Sequence, residues 1–337
     1  MRSAEGRLLP EGRKKSEELR VKTFKYLFEI EKKPRKGLIA AEWVMMGYLL
    51  LTLLFMLFTW TKLPDPEPML WGRFRVVVTT VALWGVYRMV PCRLTMFCRV
   101  ALLLALLSWW YPDTFDLNRI LPNLDHRFAT LEQRLFDCQP ALLFAQRWTN
   151  AVFSELMYLG YSSYFYLIAT ITLYYFFKRY DEFQRMAFIV LGSFFVYYVI
   201  FVALPVTGPQ YYYLAAGLDN ISQGVFPQIG DYFLTHDEMM EMPGWKDGFF
   251  YQFMEHAHAA GERPTAAFPS SHVGVTLILL LLAWHTRSWR LTLFVLFFFL
   301  LMCMATVYIR AHYVIDVVAG IISAVIIYPI LFYFRRI

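Results

Sequence analysis

Residues 186–210 read MAFIVLGSFFVYYVIFVALPVTGPQ. From Met186 to Leu204 no side chain carries a charge. At about 1.5 Å of rise per residue, a helix of that length crosses the ~30 Å hydrocarbon core of a bilayer. The run stops at Leu204-Pro205 and gives way to Val206-Thr207-Gly208-Pro209-Gln210. The stretch therefore reads as a membrane span that delivers a short polar motif to one face. Working outward, comparable runs lie near 38–60, 74–90, 94–111, 151–177, 270–285, 290–310 and 313–334, eight spans in all. The expected fold class is all-α: a polytopic membrane helical bundle of about six to eight transmembrane helices. Re-entrant or interfacial helices are expected in its outer loops.

Composition agrees. Apolar residues make up 58% of the 337-residue chain and charged residues 17%, and there are 31 Phe and 22 Tyr. A soluble domain has no way to hide that much apolar surface. The net charge of +6 is local, because residues 1–36 hold twelve Lys/Arg and six Glu. That balance points to a basic cytoplasmic tail beside anionic headgroups and away from nucleic acid. The first apolar run begins near Leu38, behind this tail, which reads as a span and not as a cleaved signal. Cys92, Cys98, Cys138 and Cys303 show no metal-type spacing and read as small hydrophobes.

The charges also orient the spans. With the tail inside, the inner turns carry Arg88/Arg93, Lys178/Arg179/Arg185, Arg287/Arg290 and Arg335/Arg336. The outer segment 206–269 holds eight acidic residues and only Lys246 and Arg263 as bases. This is the positive-inside pattern, with both termini cytoplasmic. In a bacterium it would be an inner-membrane protein with its site facing the periplasm. Three regions follow: a basic tail over 1–36, N-terminal spans with an outer amphipathic segment over 37–150, and a catalytic core over 151–337. Within 112–150, Asp125, Leu131, Leu135 and Phe136 suggest an amphipathic helix lying at the interface.

Three motifs fall at the outer ends of spans: Leu204 to Tyr211, Phe268-Pro269-Ser270-Ser271-His272, and Arg310-Ala311-His312-Tyr313-Val314-Ile315-Asp316. Pro269 and Ser270 stand where an apolar helix begins. Ser is a good N-cap, and free backbone N–H groups at a helix start favour an anion. The Ser270 and Ser271 hydroxyls add donors, and His272 can protonate a departing oxygen. His312 and Asp316 are spaced to share a helix face, so the carboxylate can hold one ring nitrogen and leave the other as a nucleophile. Arg310 offers a fixed positive charge for phosphate oxygens. Together these groups suit attack on phosphorus through a phospho-histidine. His236-Asp237-Glu238 and His256-Ala257-His258 lack a third ligand at a recognisable spacing and read as solvated loop residues, so no metal and no cofactor is expected.

At these residues the chain resembles the type 2 phosphatidic acid phosphatase superfamily, and within it the inositol phosphorylceramide synthase-like (inositolphosphotransferase) branch. Pro269-Ser270-Ser271-His272 is similar to the family's second motif, Pro-Ser-Gly-His. His312-Tyr313-Val314-Ile315-Asp316 is similar to the His-Tyr-x-x-Asp of sphingolipid phosphotransferases. The resemblance implies a metal-independent enzyme with His312 as nucleophile, Asp316 orienting it and His272 as general acid. It implies Ser270, Ser271, Arg310 and Gln210 at the substrate phosphate. The first motif here has no cation, and Thr306 stands where the family's third-motif Arg usually lies. That form tilts the reading toward phosphotransfer. The implied substrate is a phospholipid or lipid phosphate. The implied acceptor is water, or a lipid alcohol such as ceramide or diacylglycerol. A catalytically silent lipid-binding or transport protein on the same scaffold is the alternative, and it predicts a broken nucleophile or acid.

Overall fold

In the computed structural model, residues 11–334 are described, with the side chains of 11–17, 19 and 258–260 left out. Arg335 and Arg336 lie outside the described residues, as does the start of the basic tail. The described residues are all-helical, without a strand, in the order α1 (Glu11–Leu27), α2 (Ala40–Phe58), α3 (Pro66–Met89), α4 (Arg93–Asn118), α5 (Asp125–Phe136), α6 (Pro140–Arg147), α7 (Ala151–Lys178), α8 (Phe183–Ala203), α9 (Pro209–Ala216), α10 (Leu218–Ser222), α11 (Phe249–Gly261), α12 (Ser271–His285), α13 (Trp289–Tyr308) and α14 (Val314–Tyr333). Seven of these are long and apolar enough to cross a membrane: α2, α3, α4, α7, α8, α13 and α14. The chain is a multi-pass integral membrane protein.

Two predicted boundaries move, and one pair of charges explains both. The second span begins at Pro66 rather than 74, and the third runs to Asn118 rather than 111. Arg73 and Asp113 interrupt the apolar runs in the sequence. In the structure they form a two-pronged ion pair, Nη1–Oδ1 2.7 Å and Nη2–Oδ2 2.8 Å, buried between α3 and α4. A charge that is paired and hydrogen-bonded can stay inside apolar surroundings. Arg99 and Glu42 do the same between α4 and α2. Pro112 sits inside α4 and does not end it.

The sixth expected span, α12, has 15 residues. At about 1.5 Å per residue it covers only ~22 Å. Its ends explain the length. His285 at its last turn meets Glu182 between α7 and α8 (2.9 Å), and Arg179 donates to the Thr286 carbonyl. At its first turn, His272 packs on Tyr161 and Tyr164 of α7, with centroids at 4.6 and 4.5 Å. Tyr164 lies about 20 Å along α7 from its start. The helix is short because it begins at a recessed point inside the bundle.

The end of the bundle opposite the motifs gathers the basic turns. Tyr26 bonds the Phe176 carbonyl, Tyr180 bonds Glu31, and Arg93 covers the Tyr26 and Tyr180 rings at 4.1 and 4.7 Å. The core itself lies between α7, α8, α12, α13 and α14. There Gly274 and Gly320 allow close helix approach: a Cβ on Gly320 would stand 2.6 Å from the Ser270 carbonyl oxygen. That contact brings the start of α12 against α14 and so joins the second and third motifs.

Candidate active site

Backbone hydrogen bonds clamp the three motifs together. Ser270 N–H donates to the Asp316 carbonyl (3.0 Å), Ala267 N–H to Val206 (3.0 Å) and Gln210 N–H to Arg310 (2.8 Å). Gly208 turns at φ +94°, and a Cβ there would lie 2.4 Å from the Ala311 carbonyl oxygen. Only glycine allows the first motif to close on the third at that distance.

His312 is 3% exposed. Its Nδ1–H donates to the Ala267 carbonyl oxygen at 2.8 Å, with the Asp316 carboxylate at 3.6 Å. The ring's Nε2 then carries the lone pair, and it faces His272 Nδ1 at 3.5 Å. Burial pushes the His312 pKa down to about 4, so the ring is neutral at neutral pH. Asp316 is fully buried. Its Oδ2 accepts the Tyr313 N–H at 2.8 Å, and its Oδ1 has no partner among the described residues. Ser270 is the N-cap of α12, its hydroxyl accepting from Val273 N–H.

A cavity of about 540 Å³ opens beside the histidines. Ser271, His272, His312 and Gln210 line it, together with Thr207, Glu262 and Tyr111. Ser270, Asp316 and Arg310 are not among its lining residues. Arg310 instead donates from Nη1 to the Glu241 carbonyl at 3.2 Å, and burial lowers its pKa. Farther from the histidines the lining is apolar, with Leu107, Phe194 and Phe201, and it reaches Phe165 and Tyr166 of α7. These two are 68% and 64% exposed, so the cavity opens sideways on the bundle's outer surface. Phe253 and Met254 of α11 cover it from above. The Glu155 carboxylate of α7 holds α11 in place, accepting the Phe250 and Tyr251 N–H groups at 2.9 and 3.0 Å.

Two acids on α5 complete the site from outside. Asp125 is buried and accepts from Thr207 N–H (2.7 Å), Thr207 hydroxyl (2.9 Å), Gly208 N–H (2.9 Å), Asn123 (2.7 Å) and Tyr313 hydroxyl (3.1 Å). It ties the first motif to the third. Glu132, also buried, accepts the Ile315 N–H at 3.0 Å at the start of α14. Burial pushes its pKa up to about 7, with the Asp316 charge adding to the rise. The helix is amphipathic in an unusual sense: its acids face inward, while Leu131, Leu135 and Phe136 are exposed. Sequence reasoning noted the amphipathic segment and missed the acids' role. Their seven-residue spacing on one helix face was the available signal.

His236 stacks on Tyr232 with centroids 4.1 Å apart, and His256 Nδ1 bonds the Gln252 carbonyl. The side chain of His258 lies outside what is described. Among the described residues no three His, Cys, Asp or Glu side chains gather as a metal site.

Comparison with known families matches residues 126–330 to the family described as PAP2 superfamily. No curated protein and no solved structure gives a match.

Proposed function

The chain belongs to the PAP2 superfamily, whose members are typically metal-independent phosphatases of lipid phosphates, and we propose that it transfers the phosphoryl group of a phospholipid or lipid phosphate through a phospho-histidine. The observation that carries this reading is the state of His312. Its Nδ1 is committed to a carbonyl, so the lone pair on Nε2 is available to attack phosphorus. His272 stands across from it and protonates the leaving oxygen. Ser271 and Gln210 line the same space and hydrogen-bond phosphate oxygens. Asp316 stabilises the positive charge that develops on His312. The lateral opening at Phe165 and Tyr166 admits a lipid chain from the bilayer while its headgroup reaches the histidines. Water or a lipid alcohol then takes the phosphoryl group from His312. The first outcome is hydrolysis, and the second is the transfer expected of an inositolphosphotransferase-like enzyme with ceramide or diacylglycerol as acceptor. The absence of Lys and Arg from the cavity lining among the described residues supports transfer from a singly charged diester. The Lys/Arg bias supports a site on the non-cytoplasmic face.

The test offers purified protein a panel of labelled lipids, with and without a ceramide-like acceptor, and follows both released phosphate and new lipid. Turnover that disappears in His312→Ala is expected. Absence of turnover on every lipid would overturn the assignment.

A further inference from the structure

Glu262 is the one acidic side chain among the described residues that line the cavity, and none of them is Lys or Arg. Tyr111 hydroxyl donates to its Oε1 at 3.2 Å, and Oε2 has no protein partner among the described residues. His312 lines the same cavity. The adjacent Arg263 does not neutralise Glu262: that guanidinium bonds Asp237 in the outer loop at 3.1 Å. Around Glu262 the cavity wall is aromatic, with Tyr111 beside it and Tyr161, whose ring stacks on His272.

This is an unfavourable setting for a phosphomonoester. Such a group carries close to two negative charges at neutral pH. Here it would meet a carboxylate, with no Lys or Arg among the described lining residues to offset the repulsion between like charges. A phosphodiester carries one negative charge. If its headgroup ends in an ammonium, that cation can sit on the carboxylate and against tyrosine faces. Resting on the phosphoryl-transfer reading above, we infer that the cavity selects a zwitterionic phosphodiester lipid with an ammonium headgroup, held by Glu262 and Tyr111. Glu262 is then a specificity-determining residue. It binds the end of the headgroup while His312 and His272 act on phosphorus.

The test compares lipids of identical acyl chains in nanodiscs: ethanolamine and choline phosphodiesters, phosphatidylinositol and phosphatidic acid. In the native protein an ammonium lipid should give the highest kcat/KM, and the ethanolamine and choline arms tell a primary from a quaternary ammonium. In Glu262→Gln, which keeps size and hydrogen bonding, the ratio of kcat/KM for the ammonium lipid over phosphatidic acid should fall at least tenfold. Highest activity on phosphatidic acid or phosphatidylinositol, or an equal loss on all lipids in the variant, would overturn the inference. Binding of the same lipids to His312→Ala separates this idea from the catalytic one. If the native protein turned over nothing, the proposed activity would fall. The ammonium subsite would still be supported by tighter binding of ammonium lipids that Glu262→Gln abolishes, and overturned by equal binding of all four.

Discussion

At the scale of single residues the site turns on which atom holds each histidine nitrogen. His312 donates from Nδ1 to a backbone carbonyl, so its tautomer does not depend on Asp316 alone. His312→Ala is expected to abolish turnover, measured on the best lipid of the panel with folding checked by thermal melt. His272→Ala should recover part of its lost rate on substrates with better leaving groups, which need no proton on departure. Near-normal turnover in His312→Ala would sink the phospho-histidine mechanism. Asp316→Asn keeps the Ala267 bond but removes the carboxyl group 3.6 Å from the imidazole. A loss of about 10²-fold in kcat is expected, smaller than for His312→Ala. A loss as complete as that of His312→Ala would mean that Asp316, and not Ala267, sets the tautomer. With a pKa pushed down to about 4, His312 stays neutral down to mildly acidic pH. With an activated leaving group, the rate of attack should therefore be level from about pH 8 to about pH 5 and fall only below that.

At the scale of elements, α5 acts as a brace. Asp125 binds the first motif and Tyr313, and Glu132 binds the start of α14. Its Leu131, Leu135 and Phe136 face outward, as an interfacial helix requires. Glu132 has a folded pKa raised to about 7, above its ordinary value of 4.5. The folded state therefore holds a proton that the unfolded state releases between these values. The group's contribution is fully present below about pH 4.5 and is lost as pH rises toward 7, at no more than about 1.4 kcal/mol per pH unit. Glu132→Gln retains an acceptor for Ile315 N–H and cannot ionise. Melting curves of native protein and variant should diverge over this window, with the variant gaining relative stability as pH rises. Parallel curves would show that Glu132 does not change its protonation there.

At the scale of the whole molecule, the basic turns at one end and the three motifs at the other make the orientation testable. Arg287→Cys and Asp237→Cys, each in a background lacking the four natural cysteines, place a thiol at opposite ends of the bundle. In intact cells an impermeant reagent should label position 237 and spare 287. The reverse result would turn the protein over and place its chemistry on the cytoplasmic face. Two buried ion pairs, Arg73–Asp113 and Arg99–Glu42, pin the N-terminal helices to one another. They leave the family-matched region 126–330 to build the cavity, with α4 as its outer wall.

By itself the sequence determined the helical class, most of the spans and the common placement of the three motifs. It also carried the family signature. Those features are local: an apolar run long enough for a bilayer, a Ser at a helix start, a His just before the last helix with an Asp in its first turn. Only the tertiary structure decided the rest. The acceptor for His312 is a backbone carbonyl 45 residues away, and any residue type can supply one. Asp125 reaches Thr207 across 82 residues and Tyr313 across 188, contacts that leave no periodic trace in the chain. The ends of α3 and α4 were hidden by charges that look costly alone and become acceptable once paired. Arg310 lies beside His312 in sequence, yet its guanidinium turns to Glu241, while Glu262, one of eight acidic residues in the outer segment 206–269, enters the cavity. Chain neighbours share a backbone, but the direction of a long side chain is set by what packs around it.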